Sequence, residues 1–534
     1  MSYEDLELGI RWERLQSIVE EVATVLLRTS FTPVVREAGD LSAGLFDRRG
    51  RMLVQAVTGT PGHINTMATA VEHFAKAFPL DSLEPGDVLA SNDPWLTSGH
   101  LHDITMVTPL FHGKQAIGWV ANTCHMADIG GRTLGAEALD VFEEGLYLPI
   151  IKLFTQGGMD PNMQQLIVAN VRVPEMVLGD LQSMALANHR AQDRLQNFFE
   201  DTGLRNLEAL SDAICDRSEA AVRERIAALP DGTHSGEVEL DGYDAPIVLR
   251  AAITVKGDEL TVDYTGTTSQ VPQGINVVLN YTHAYTTYPL ACVLSPDVPH
   301  NAGSFRPIHV KAPEGCILNA VSPAPVAARH IVGHFLPGAV FDALRGFVPD
   351  RVPAHGNCGL WASHFEGERP EGSRFVFTLF SNGGIGAQNG VDGLSATSFP
   401  SGVQNVPAEI IEATTPLMVH QRALRENSGG RGEWRGGLGQ TLTLSVRGPG
   451  AVHSCIYERI KNAARGAMGG EDGAPGEVIL DDGTRPHSKQ KYFLKGGTRV
   501  TLKLPGGGGY GRPKNRKPEL QARDQQLGLE KKTS

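Results

Sequence analysis

Two His-x-x-Asp pairs, His100-Leu-His-Asp103 and His125-Met-Ala-Asp128, bracket a strand–turn–strand run and constrain this chain more than any other feature. Between them, Ile104 to Ala121 reads as two apolar runs around His112-Gly113-Lys114, the pattern of a β-hairpin. Closing that hairpin brings the two pairs side by side. Two imidazoles and two carboxylates then converge, a donor mixture that suits a divalent cation such as Zn, Mn or Fe(II). Asp and His are also common as capping and turn residues where strands end. The repetition of the pair, flanked by Asn92-Asp93-Pro94 and Gly130-Gly131, favours the metal reading. Cys124 adjoins His125, but neighbouring side chains in an extended segment point to opposite faces, so it reads as a buried thiol.

The rest of the chain reads as mixed α+β in several layers rather than a βαβ alternation. Its 534 residues suit about three or four domains by length. Patterning separates a strand-rich, metal-bearing N-terminal region (1–158), a helical segment (159–229) and a mixed strand and helix region (230–374). A glycine-rich β region (375–511) and a polar, loosely ordered tail (512–534) follow. Apolar positions Ile10, Leu15, Ile18, Val19, Val22, Val25 and Leu26 predict an amphipathic helix over 8–29. Further helices are expected over 65–78, 282–294 (kinked at Pro289) and 332–347, and a hairpin from Asp40–Asp47 with Met52–Ala56.

Several classes are excluded. A net charge of −12 argues against a nucleic-acid-binding surface. There is no apolar run long enough for a transmembrane helix, and the acidic, then amphipathic N-terminus is unlike a secretory signal. The six cysteines are scattered without Cys-x-x-Cys spacing, as expected of reduced thiols in a cytoplasmic protein. Gly506 to Gly511 spells G-x-G-x-x-G, yet Arg512-Pro513 after it cannot open the helix of a dinucleotide site, so a tight loop is expected. Arg431 and Arg435, in the dense turn Ser428–Gly439, read as exposed loop arginines. Neither a P-loop nor a G-x-S-x-G elbow is present.

The segment SNDPWLTSGHLHDITMVTPLF followed by HMADIGG resembles the signature of the hydantoinase B family, and the likeness covers nearly the whole chain. It extends to Asp40-Leu-Ser, Pro61-Gly-His63, Asn301 to Ile308, Trp434 to Gly439 and Pro505 to Gly511. That family includes N-methylhydantoin and lactam amidohydrolases, the second half of oxoprolinases, and subunits of acetone or acetophenone carboxylase. The resemblance implies an ATP-binding A-type partner, two copies of each subunit in the assembly, and ATP held on the partner. It also implies a divalent metal on His100, Asp103, His125 and Asp128. The leading expectation is the metal-bearing subunit of an ATP-dependent hydrolase that opens a cyclic amide. The alternatives are a ketone carboxylase subunit, whose metal would hold an enolate, and a non-catalytic scaffold. Asp40 and His63 are candidate general base or metal-supporting groups, or else a turn residue and a satisfied core histidine. The family often has proline where this chain has His102. In an extended segment His102 would share a face with His100, as a further ligand, a proton carrier or a residue with no role. Ala327-Ala-Arg-His-Ile-Val departs from a Gly-Asn-x-x-Thr-like stretch in relatives, which weakens any inference to one relative's substrate.

Since no phosphate-cradling loop is present, the purified chain alone is expected to release no phosphate from ATP above background. Measurable ATPase activity in a preparation free of partner would contradict this.

Overall fold

The computed structural model describes residues 3–57 and 60–530. An antiparallel seven-stranded sheet forms the N-terminal half, in the spatial order 52–55, 41–47, 115–125, 103–112, 88–91, 151–155, 158–159. Its central hairpin is the predicted one, Asp103–His112 with Gln115–His125, turning at Gly113, whose φ of +60° favours glycine. The register sets Asp103 directly opposite His125.

Both faces of this sheet are covered, which is why strand 41–47 is buried at every position. Leu45, Val54, Met106 and Val120 belong to the main core, with Leu15, Val19, Val22 and Leu26 of helix Tyr3–Thr29 and Leu181 and Met184 of helix Pro174–Thr202. Phe46, Val107 and Trp119 instead pack with Ile64, Met67, Val71 and Phe74 of helix Pro61–Ala77. Adjacent residues therefore serve opposite layers, the period-2 rule of a strand. The apolar stripe of the first helix is spent inside this chain, while Leu6 and Ile10 near its start stay exposed. Cys124 is fully buried in the main core.

A second sheet (232–240, 247–256, 259–263, 308–311) packs against helix Leu336–Leu344. The helix expected over 332–347 is divided into His330–Gly333 and Leu336–Leu344, whereas Leu279–Leu294 runs on as one helix through Pro289. Two four-stranded sheets, 374–381/361–368/450–456/491–495 and 417–424/440–446/499–503/477–480, complete the C-terminal half. The architecture is α+β.

Between those last sheets the glycine runs do something that patterning did not foresee. Segments near 355, 385, 437, 470 and 507 lie backbone against backbone, outside any sheet. Gly437 N–H donates to Ile385 O (2.8 Å), Gly507 N–H to Gly437 O (2.9 Å) and Gly430 N–H to Gly507 O (2.8 Å). A Cβ on Gly437 would stand 1.9 Å from Leu394 O, and one on Gly384 1.9 Å from Gly437 O. The expected tight loop at Gly506–Gly511 is thus part of this packing, buried from Gly506 to Tyr510. Arg435 is likewise buried rather than exposed: Asp524 accepts from its Nε at 3.4 Å, and its backbone N–H donates to Asp392 (2.7 Å). The expected loose tail contains helix Pro518–Gln526, tied down by Arg516 to Asp392 (2.8 Å) and to Asp524 (2.5 Å). Among the described residues no helix is long and apolar enough to cross a membrane.

Gly437→Ala should cost about 3 kcal/mol or more, since a methyl group would overlap fixed backbone. Gly9→Ala, on an open helix face, should gain ~0.5–1 kcal/mol through helix propensity. Thermal unfolding of both variants checks the contrast; equal melting temperatures would contradict it.

Candidate metal centre and active-site cavity

Asp103 and His125 reach the centre from the open end of the hairpin, and Ser98 and His100 from the loop before it. His63 comes from the first turn of helix Pro61–Ala77 and Asp40 from the entry to strand Leu41–Asp47. Arg329, His330 and His334 arrive from a distant part of the sequence. All of these but Ser98 wall a cavity of about 40 Å³, with Leu134, Leu360, Phe380 and Val403 as its apolar side.

Asp103 is the hub and is fully buried. Its Oδ1 lies 2.7 Å from His100 Nε2 and 3.0 Å from His125 Nδ1. Its Oδ2 lies 2.9 Å from His63 Nε2, accepts from Ser98 Oγ at 2.9 Å, and meets Arg329 at 2.6 Å. Burial raises the Asp103 carboxyl, but the polar surroundings that His100, His63 and the Arg329 guanidinium provide outweigh it and hold the group well below the usual range. Gly99 makes the arginine's approach possible: its φ is +96°, and a Cβ there would stand 2.9 Å from Arg329 Cδ. The guanidinium also lies over the Tyr281 ring at 4.2 Å.

His100 carries the decisive detail. Its Nδ1 lies 2.9 Å from Ala327 O, a carbonyl that can only accept, so Nδ1 bears the hydrogen. Burial, and then the Arg329 charge, push its pKa down to about 4, so the ring is neutral and Nε2 is a bare lone pair. That lone pair faces a carboxylate oxygen at 2.7 Å without a hydrogen bond. Two electron-rich atoms so close call for a cation between or beside them. The donor atoms of His100, Asp103 and His125 all lie within 4.8 Å of one another and are buried. His125 Nε2 and His63 Nδ1 are also buried without partners. Two imidazoles and one carboxylate fit a divalent metal with positions left open.

The other anticipated residues divide. Asp40 joins the cavity, its carboxylate 3.6 Å from His63 Nε2 and 3.9 Å from His125 Nδ1. Burial raises its pKa, against the pull of His63 and His125. For His63, burial lowers the pKa, but Asp103 and Asp40 outweigh it and leave it raised. His102 stacks on His125 (5.5 Å between ring centres, 14° between planes) and does not line the cavity. Burial and the two neighbouring histidines lower its pKa well below the usual value. Asp128 is not brought into the group. It accepts from Gly130 N–H (3.0 Å) and from the Arg172 backbone, and pairs with the Arg172 guanidinium at 2.8 Å. The two motifs look equivalent, but the strand begins at Asp103 in the first and ends at His125 in the second, so Asp128 lies three residues beyond the sheet.

Arg329, His330, His334 and Ser98 were not assigned roles from the sequence. His330 and His334 have the i, i+4 spacing of one helical face, a signal that could have drawn attention to them. Both are kept neutral chiefly by burial, His334 at about 3. His330 Nε2 and His334 Nδ1 are buried without partners, while Tyr285 OH holds His334 Nε2 at 3.0 Å.

A buried constellation of two histidines and a carboxylate, beside a second carboxyl and an arginine, in an α+β chain of this layering defines the class. The chain belongs to the hydantoinase B/oxoprolinase family, whose model matches residues 4–513. It is 32% identical to a putative B-type D-/L-hydantoinase subunit of Pseudomonas sp. (strain NS671), over 95% of this chain and 89% of that one. Its structure is similar to that of the ATP-dependent caprolactamase from Pseudomonas jessenii (TM-score 0.91, 27% identity, 99% of this chain and 95% of that one). It shares its fold with a nucleotide-free acetone carboxylase (TM-score 0.89, 18% identity, 99% and 78% covered).

Asp103→Asn should destabilise the protein by about 3–5 kcal/mol, because Arg329 would be left as a buried, unpaired charge. Double replacement Asp103→Asn with Arg329→Met should recover part of that loss. Chemical denaturation of the three proteins tests the coupling; additive effects would argue against it.

Proposed function

We propose that this chain is the metal-bearing subunit of an ATP-dependent hydrolase that opens a cyclic amide, acting with an A-type ATP-binding partner. One observation carries the reading: the bare His100 Nε2 held 2.7 Å from a carboxylate that Arg329 keeps ionised. His100, Asp103 and His125 would hold a Zn, Mn or Fe ion. A divalent ion bound there would polarise a carbonyl oxygen or make hydroxide available near neutral pH.

The chain's own groups supply the remainder. Ala327 O fixes the His100 tautomer, and Arg329 and Ser98 fix the Asp103 carboxylate. Asp40, made more basic by burial, stands where it can take a proton from an attacking water, with His63 beside it to accept or share that proton. Leu134, Leu360, Phe380 and Val403 give an apolar wall for ring methylenes and keep bulk water out. Resonance makes an amide carbonyl a poor electrophile, and phosphorylation of its oxygen on the partner would remove that obstacle. The names of the relatives, a hydantoinase subunit and an ATP-dependent caprolactamase, support a cyclic amide over other carbonyl substrates.

The test is co-expression with the A-type partner and assay of ATP turnover on a panel of hydantoins and lactams. A panel of ketones with and without bicarbonate serves as the carboxylase arm. Amide-dependent ATP hydrolysis with ring opening supports the reading; bicarbonate-dependent turnover of a ketone alone overturns it. Elemental analysis should find about one divalent ion per chain, most of it lost in His100→Ala and His125→Ala and retained in Asp128→Asn. Loss of metal in Asp128→Asn equal to that in His125→Ala would contradict the three-residue centre.

A further inference from the structure

One buried carboxyl plays no part in the chemistry above. Glu144 is 1% exposed and follows the short turn Val141–Glu143. Its Oε1 accepts two backbone N–H groups, that of Val326 at 2.6 Å and that of Ala327 at 2.8 Å. The turn beneath it is tied to the same stretch of chain, since Val141 N–H donates to Pro323 O at 2.9 Å. Gly274 leaves room for the accepting oxygen: a Cβ there would stand 3.2 Å from Oε1. The Gly274 carbonyl in turn accepts from Ala328 N–H at 2.7 Å.

These anchors bracket one peptide group. The peptide joining Ala327 to Ala328 aims its carbonyl at His100 Nδ1 (2.9 Å) and its N–H at Gly274. Asp103 Oδ1, 2.7 Å from His100 Nε2, draws the ring hydrogen toward that opposite nitrogen. A well-placed Ala327 carbonyl opposes the pull, because the bond made by one ring nitrogen decides the state of the other. With its hydrogen on Nε2, the ring would donate to Asp103 and have no lone pair there for an ion. Burial pushes the Glu144 pKa up to about 8, against the two N–H donors, so the side chain acts near neutrality largely as an uncharged acceptor.

We propose that Glu144 is a positioning residue for the metal centre. By holding Val326 and Ala327, it keeps the Ala327 carbonyl on His100 Nδ1 and Nε2 free to bind an ion. The role rests on the metal-centre reading above, but Glu144 itself belongs neither to the donor group nor to the cavity wall. The segment it holds also carries Arg329, whose backbone N–H donates to Val326 O at 3.0 Å and whose guanidinium meets Asp103.

NMR of the metal-free full chain, with histidine labelled at its ring nitrogens, reads the tautomer directly; His100 is assigned by its loss in His100→Gln. Wild type should carry the hydrogen on Nδ1 and Glu144→Ala on Nε2. Glu144→Gln keeps the accepting oxygen and should match wild type. Cobalt(II), titrated in competition with a chelator, should bind Glu144→Ala about 10–100-fold more weakly than wild type, and Glu144→Gln within about threefold of it. Where Glu144→Ala does not fold, Gly274→Ala takes its place: it crowds Oε1 and should weaken cobalt binding at least about threefold. The wild-type tautomer in Glu144→Ala, Glu144→Gln as impaired as Glu144→Ala, or unchanged affinity in Gly274→Ala would each overturn the proposal. Wild type that binds no cobalt while the tautomers behave as expected would overturn the metal reading and support the hold of Glu144 on His100.

Discussion

A single ionised carboxylate inside the protein, that of Asp103, organises much of what surrounds it. Leaving a charge unsolvated costs several kcal/mol, so five groups from four stretches of chain must arrive together to satisfy it. The hairpin register, the positive φ of Gly99 and the first turn of the helix carrying His63 are conditions for that arrival. An arrangement with such strict local demands is poor at contributing net stability. It does hold two imidazoles in one tautomer and one orientation, as the proposed metal centre would require.

Much of this was legible in the sequence, and the failures have physical causes. The hairpin was visible because its apolar alternation and its turn are both local properties. From the hairpin alone followed the convergence of Asp103 with His125. Spacing along a chain does not record that the strand ends at His125, which leaves Asp128 beyond the sheet and paired with Arg172. Arg329 could not be found by pattern, since it meets Asp103 only through tertiary packing across more than two hundred positions of sequence. His102 was left open by the sequence, as ligand, proton carrier or a residue with no role, and its ring stacks on His125 away from the cavity lining.

The glycine runs were legible as composition but not as architecture. Patterning rules attribute glycine to turns, since they treat it as a conformational device. Here its principal property is the missing side chain, which lets five backbone segments exchange hydrogen bonds without forming a sheet. Arg435 and the terminal helix are ordered around that packing, which is why a polar tail and an apparently exposed arginine prove to be fixed.

Packing of backbone on backbone carries an evolutionary consequence. An apolar core can absorb a lost methyl group by changing a neighbour, because side chains come in graded sizes. Where carbonyl oxygens stand 1.9 Å from the place a Cβ would occupy, no neighbouring substitution makes room. Every single-nucleotide change in a glycine codon that alters the residue introduces a side chain or ends translation. These positions are therefore barred from gradual exploration, and their sequence is dictated by the path of the main chain whatever chemistry the protein performs. Drift in substrate preference must take place elsewhere, among the residues lining the cavity.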